Sequence, residues 1–343
     1  MKKLWWRIKY YFKRLKQMDR QGFKDAINYA HEKSGKSKFV ILIDMMWCSF
    51  RYTAGYVDYN EFEFYLLNGK ERKTYITLGH SDKVVKYYND REYVGLFDDK
   101  SQFDVLFAKF ISRKHIDLEE VDVEAFKAFV VEHGKVMAKR KNDYVGRGID
   151  KIDYNETPDI DFEKLYNDLK ANRQYLIEEF FTQHPKMSEL SPTSVNTMRI
   201  ITFLDNTQTP RVLITALKSG LGGHVDNIGQ GGMYTILDEK GTVVYPFIDK
   251  HGNQHTNHPL TGENLMGFQI PNFENVVAQV KEACLVIPQV RYIGWDVAVS
   301  QDGNAELIEG NSSSGPFQVI PSLSKDRVGI RPVYEKYMTD IKF

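Results

Sequence analysis

The chain has 343 residues, 46 Lys+Arg against 46 Asp+Glu, 42% apolar residues and two cysteines. This length points to two or three domain-sized units with a real core, and a charged fraction of 27% excludes a disordered or fibrous chain. Cys48 and Cys284 stand apart with no C-x-x-C pair, which supports neither a disulfide scaffold nor a thiolate zinc site and fits a reducing cytoplasm.

The zero net charge hides an uneven distribution. Residues 1–17 hold seven basic side chains and no acid, so the rest of the chain carries 39 basic against 46 acidic residues. Within this arm Leu4, Trp5, Ile8, Tyr11, Phe12 and Leu15 recur at helical spacing, which predicts a basic amphipathic helix over 1–18. Such a helix suits an anionic membrane surface or a membrane-bound partner such as a glycosyltransferase, and equally the protein's own body. It lacks the apolar run and small-residue cleavage site of a signal peptide, and it is too polar to span a bilayer.

Next in chain order, Phe39–Ile43 reads as a buried strand and 52–67 is dense in Tyr and Phe, so residues 19–99 are expected to form a small mixed α/β region. Val123–His133 predicts a helix stopped by Gly134, followed by a strand Lys135–Lys139 and a polar glycine-containing loop, 142–148. A helix from Asp161 to about Ala171 and a strand Tyr175–Phe180 follow. Strands are then expected at Arg199–Leu204, Arg211–Leu217, Tyr234–Leu237 and Val243–Phe247, with a helix from Phe273 to about Cys284. A last hairpin runs Ile293–Ser300, turns at Asp302-Gly303-Asn304 and returns through Leu307–Glu309. The class is α+β, with subdomains expected at 100–175 and 176–343.

The hairpin carries the most chemistry. It places Asp296 opposite Glu309 and Asn311, and the latter two, two residues apart on an extended strand, share a face. Three hard oxygen donors of this kind suit Mg²⁺ together with phosphate oxygens. The tail Asn311-Ser-Ser-Ser-Gly-Pro316 offers close approach to a ligand.

This run, from Asp296 to Pro316, resembles the metal-binding hairpin of ATP-grasp ligases such as D-alanine–D-alanine ligase. The resemblance implies an ATP-grasp fold in which two α+β subdomains grip ATP, with Asp296, Glu309 and Asn311 on two magnesium ions. By the same resemblance Lys139 contacts the α-phosphate and Lys100 is the earlier lysine of that subdomain. Loop 142–148, with Gly146 and Gly148, closes as a lid, and Glu178, Glu179 and Phe180 form the adenine hinge. His184 is either near the ribose or a surface histidine. The runs Asn196–Phe203 and Leu217–Gly232 are similar to the sugar-transfer associated ATP-grasp subgroup. There Arg199 would hold a phosphate or carboxylate, and Asn227, Gly231 and Gly232 would wall the γ-phosphate and acceptor. Ligases of this class often carry arginine two residues before the metal-binding aspartate. Here that position is Gly294, so Arg199, Lys218 or Arg291 must supply the charge.

The implied reaction is ATP- and Mg²⁺-dependent activation of a carboxylate as acylphosphate and its joining to an amine or hydroxyl, in a cytoplasmic enzyme peripheral to the membrane. Two other outcomes stay open: phosphorylation of a sugar-type hydroxyl, and a non-catalytic ATP-binding partner of a membrane glycosyltransferase. No nucleic-acid partner is indicated. His251, His255 and His258 lie in a polar loop and read as surface residues rather than a metal site. Ser312–Ser314 read as hydrogen-bonding groups, since no G-x-S-x-G elbow exists, and the absence of a Walker pattern excludes a P-loop enzyme.

Overall fold

A computed structural model describes residues 19–141, 149–191, 193–222, 226, 229 and 231–343. They divide into two compact units, one comprising the residues up to Tyr87 with Gly315–Phe343, the other Tyr88–Ser314. The amphipathic reading of residues 1–18 falls outside the described residues.

In the first unit Asp19 caps helix α1 (Arg20–Ser34) by accepting from the Gln21 N–H, and Gly35 ends it at a φ of 69°. Ser37 then caps α2 (Lys38–Tyr52). The expected strand Phe39–Ile43 is therefore the opening of a helix. Its apolar character does not stop at Ile43, and Ile41, Met45, Cys48 and Tyr52 recur at helical spacing on the buried face. An aromatic core of Tyr59, Phe62, Phe64, Tyr65 and Tyr75 packs beneath. Every regular element described between residues 19 and 99 is helical, so the mixed α/β expectation fails on its strands. Residues 315–343 complete this unit. The Gln318 amide donates to the Ile76 carbonyl at 2.6 Å and accepts from the Ile76 N–H at 3.2 Å, and Gly329 passes so close that a Cβ would lie 2.7 Å from the Tyr75 backbone.

The second unit holds two antiparallel sheets. The smaller has the order β1-β4-β2-β3, from β1 (His115–Asp117), β2 (Lys135–Lys139), β3 (Ile149–Asp153) and β4 (Leu176–Glu179). The larger has the order β11-β10-β5-β6-β7-β8-β9, from β5 (Met198–Leu204), β6 (Pro210–Ser219), β7 (Met233–Ile236), β8 (Phe247–Asp249), β9 (Gln254–His255), β10 (Tyr292–Val299) and β11 (Ala305–Asn311). In chain order this unit's longer helices are α3 (Lys100–Leu106), α4 (Val123–His133), α5 (Phe162–Ala171) and α6 (Phe273–Ala283). Helices α4 and α5 cover the smaller sheet through Phe126, Val130 and Leu169, and α6 covers the larger through Val276 and Val280. Strand β4 pairs with β1 and β2, so the smaller sheet runs past residue 175. The strand expected at Val243–Phe247 is displaced to β8, and Val243 keeps a single bridge to Leu237, because Pro246 has no N–H for a ladder. Among the described residues no helix is long and apolar enough to cross a membrane.

Candidate active site

Four neighbouring strands of the larger sheet bring the hairpin residues into one row. Across β6, β5, β10 and β11 the register aligns Ala216, Arg199, Asp296 and Glu309. Residues directly opposite one another share a face, and so do those two further along, which adds Lys218 and Asn311. The intervening residues Met198, Ile200, Leu217, Trp295 and Leu307 go to the core on the other side. A bulge lies next to the row: Asp296 faces Glu309 while Val297 already faces Leu307, leaving Ile308 as the extra residue.

Within the row Arg199 forks onto Asp296, with Nε to Oδ1 at 2.6 Å and Nη2 to Oδ2 at 2.8 Å, and the Lys218 ammonium lies 3.1 Å from Oδ1. Burial alone raises the Asp296 pKa, but the charges of Arg199 and Lys218 outweigh it and hold the carboxyl well below the usual range. Glu309 goes the other way: burial first, then the negative charge of Asp296, pushes it up despite the hydrogen bond it accepts from Asn311 at 3.0 Å. Two interacting carboxylates, Asp296 buried and Glu309 half-buried and raised, form a donor set whose repulsion a divalent cation relieves. Glu309, Asn311 and Asp296 therefore fit magnesium, with Arg199 and Lys218 as competitors for Asp296.

Gly294, two residues before Asp296 on β10, is tightly enclosed. A Cβ there would lie 3.1 Å from Cδ of Arg199 and would run into Ser314, so Arg199 crosses from the neighbouring strand into the space that a side chain at 294 would use. Its Nη1 donates to the buried Ser314 Oγ at 3.2 Å. Arg291 is engaged elsewhere, donating to the Leu204 carbonyl and the Asn206 side chain and stacking on Tyr88 and Phe203.

On the smaller sheet the two adjacent acids Glu178 and Glu179 split by strand alternation. Glu178 points inward to ion pairs with Lys139 and Arg113, while Glu179 faces out beside the Lys114 N–H and His133. Burial pushes Glu178 up, but Lys139 and then Arg113 overcome it and the net shift is downward, with Lys100 at the start of α3 adding to the pull. Phe180 spends its N–H on the Lys135 carbonyl and keeps a half-exposed ring under Lys151.

Sequence reasoning missed Arg113. It is buried and reaches Glu306 at 2.7 Å, Glu178 at 3.3 Å and Asp104 at 3.7 Å, tying α3, β4 and β11 together. It also missed Asp226, which accepts from Thr197 N–H and Oγ1 at 2.7 and 2.6 Å; burial raises it, against the charge of Lys218. Arg113 lies in a stretch without a motif, and Asp226, though inside the run Leu217–Gly232, was passed over for its neighbour Asn227.

Gly231 adopts a φ of 101° with open space where a side chain would sit, and Gly232 leads directly into β7. Asn227, Gly146 and Gly148, with the rest of loop 142–148, lie outside the described residues. His184 caps the short helix Pro185–Ser188 by accepting from the Lys186 N–H, and His258 is buried against the Gly220 carbonyl at 3.0 Å rather than at the surface. Among the described residues no group of three or more His, Cys, Asp or Glu forms a metal cluster, so the donor set at the hairpin depends on Asn311.

Solved structures similar to this chain include the ATP-grasp ligase PsnB complexed with minimal precursor, at 15% identity over 84% of this chain and 76% of that one, with a TM-score of 0.43. The ADP complex of purK, an N5-carboxyaminoimidazole ribonucleotide synthetase, matches at 10% identity over 71% and 52% with a TM-score of 0.41. The biotin carboxylase domain of Hydrogenobacter thermophilus 2-oxoglutarate carboxylase matches at 14% over 74% and 47% with a TM-score of 0.42. A search of curated proteins returned no match. The profile of the sugar-transfer associated ATP-grasp family matches residues 80–327. That span includes both sheets and every residue of the row, and the chain belongs to this sugar-transfer associated family of ATP-grasp enzymes.

Proposed function

We propose that the enzyme joins an activated carboxylate to an amine or hydroxyl on a sugar or sugar-derived acceptor during synthesis of a surface glycan. We also propose that residues 1–17 bring it to an anionic membrane face or to a membrane glycosyltransferase. The observation that carries the chemistry is the single row of Lys218, Arg199, Asp296, Glu309 and Asn311. Magnesium held by Glu309, Asn311 and Asp296 would neutralise phosphate oxygens in the transfer step. Arg199 and Lys218 supply fixed positive charge beside it. Arg199, its guanidinium held by Asp296 and Ser314, fixes a positive charge in the row for a carboxylate or phosphate to meet. Lys139, paired with Glu178, is the cation on the opposite sheet and is proposed to face the α-phosphate, with Lys100 nearby in charge. The hinge role of Glu178–Phe180, the wall of Asn227, Gly231 and Gly232 and the lid of loop 142–148 belong to the same reading.

The sugar connection rests on the family name alone and is tested by products. With candidate acid and sugar-amine pairs, orthophosphate and an adduct should appear together and only when both partners are present. ADP with phosphate retained on a hydroxyl would instead make the enzyme a kinase, and a Glu309→Ala protein with full ligation would remove the row from the chemistry. Deleting residues 1–17 should release the protein from vesicles with ATP turnover nearly unchanged; if the shortened chain unfolds, the arm belongs to the core.

A further inference from the structure

Helix α2 carries a second apolar stripe on the side opposite its buried face. Phe39 is 72% exposed, Trp47 53% and Ile43 50%, and Val40, Met46 and Phe50 are exposed with them. Spacings of one, three and four residues place all six on one face. The side chains of Phe39, Val40, Ile43 and Trp47 line a shallow groove of about 500 Å³ together with Lys36, Asp44 and Arg72. A contiguous apolar patch of this kind on a folded unit marks an interaction surface.

The charges around the stripe select the occupant. Asp44 is the helix's one acid, and it is cancelled by a bidentate Arg72 at 2.7 and 2.6 Å and by the Tyr59 hydroxyl at 2.8 Å. Exposed cations stand at both ends: Lys33 and Lys38 near the start, Arg51 in the last turn. A second copy docking through this face would set cation against cation, Lys38 against Arg51 in an antiparallel pair and Lys38 against Lys38 in a parallel one. An apolar surface carrying negative charge at its rim answers both features, and an anionic bilayer is such a surface. At 15 residues the helix is about 22 Å long, too short to span but suited to lie in the interface with its rings below the headgroups.

We infer that α2 inserts its Phe39, Ile43 and Trp47 face into the headgroup region of an anionic membrane. This stands on α2 alone and does not require the arm to bind lipid.

The full chain with Trp5→Phe and Trp6→Phe leaves Trp47 as its exposed tryptophan, since Trp295 is buried. On vesicles of phosphatidylglycerol and phosphatidylcholine containing tail-brominated lipid, Trp47 emission should be quenched, and pure phosphatidylcholine should leave it unchanged. Phe39→Glu with Ile43→Glu, at exposed positions where circular dichroism and ATP turnover should not change, should weaken flotation with anionic vesicles about tenfold or more. Vesicle-bound protein with unquenched Trp47 would overturn the inference and assign binding to the arm. A dimer in sedimentation that the same double variant separates would overturn it in favour of a second copy, and an acidic peptide that binds while vesicles do not would overturn it in favour of a protein partner.

Discussion

Arg113 is buried and Arg199 half-buried in the same unit, each set against carboxylates, and they do different things. Arg113 reaches Glu306, Glu178 and Asp104 at once, with Ser112 donating twice more to Glu306, at 2.8 Å from its N–H and 2.6 Å from its hydroxyl. Its side chain and all three partners are nearly inaccessible, so the network is a rigid joint between the two sheets. Arg199 holds one acid, Asp296, and leaves the next one along the row, Glu309, raised. Arg113 does not satisfy every acid either, since burial and the charge of Glu178 push Asp104 up to about 6. The two arginines differ in reach, Arg113 joining acids of three elements and Arg199 gripping one acid beside the more accessible Glu309.

The largest effect expected from this contrast is on stability. Arg113→Leu leaves Glu178 and Glu306 buried without their shared cation and should cost about 3–5 kcal/mol, read from the urea midpoint. A loss below about 1 kcal/mol would break the distinction between joint and site. Next, Glu309→Ala or Asn311→Ala should lower the rate of orthophosphate release about 100- to 1000-fold while the unfolding midpoint barely falls. Gly294→Ala should be milder. Its methyl displaces Arg199 and Ser314, and a drop of about 10- to 100-fold in kcat/KM is expected, with the magnesium dependence of thermal stability retained.

The smallest effect is the most diagnostic, because its sign reverses between neighbours. Glu309 has its folded pKa raised, so between the unfolded and folded values the native state holds the extra proton, and stability falls as pH rises through that window. Without magnesium, Glu309→Gln should therefore raise Tm at pH 8. Asp296 is lowered, so its contribution is present above the unfolded value and lost as pH falls, and Asp296→Asn should lower Tm at the same pH. Differential scanning calorimetry of both variants with and without magnesium checks the pair. Equal signs would mean that the row is not electrostatically divided.

The hairpin was legible because its chemistry is local. Asp296, Glu309 and Asn311 lie on two consecutive strands joined by Asp302-Gly303-Asn304, and alternation settles their faces. Helix α4 was legible through its Gly134 stop, and α5 through Asp161. Two kinds of information were not. Arg113 and Asp226 acquire partners far away in the chain, 193 residues off at Glu306 and 29 at Thr197, and no spacing rule records that. The stretch Phe39–Ile43 misled because a short apolar run has no period of its own; Ser37 ahead of it and Cys48 and Tyr52 beyond it decide for helix.

The discontinuity of the first unit has a consequence for synthesis. Glu63, Thr74 and Ile76 wait for Ser322, Gly329 and Gln318, which leave the ribosome only after the whole of Tyr88–Ser314 has been made. The catalytic unit can therefore close as soon as its own last strand emerges, whereas the helical unit stays open until the final residues arrive. The buried face of α2 can close early on Tyr59, Phe64 and Tyr75, while its other face is open throughout translation as it is in the folded unit. A stalled or clipped nascent chain would present that helix to chaperones or to a bilayer first, and a polypeptide ending at Ser314 would be a sound catalytic body attached to an unfinished and adhesive one.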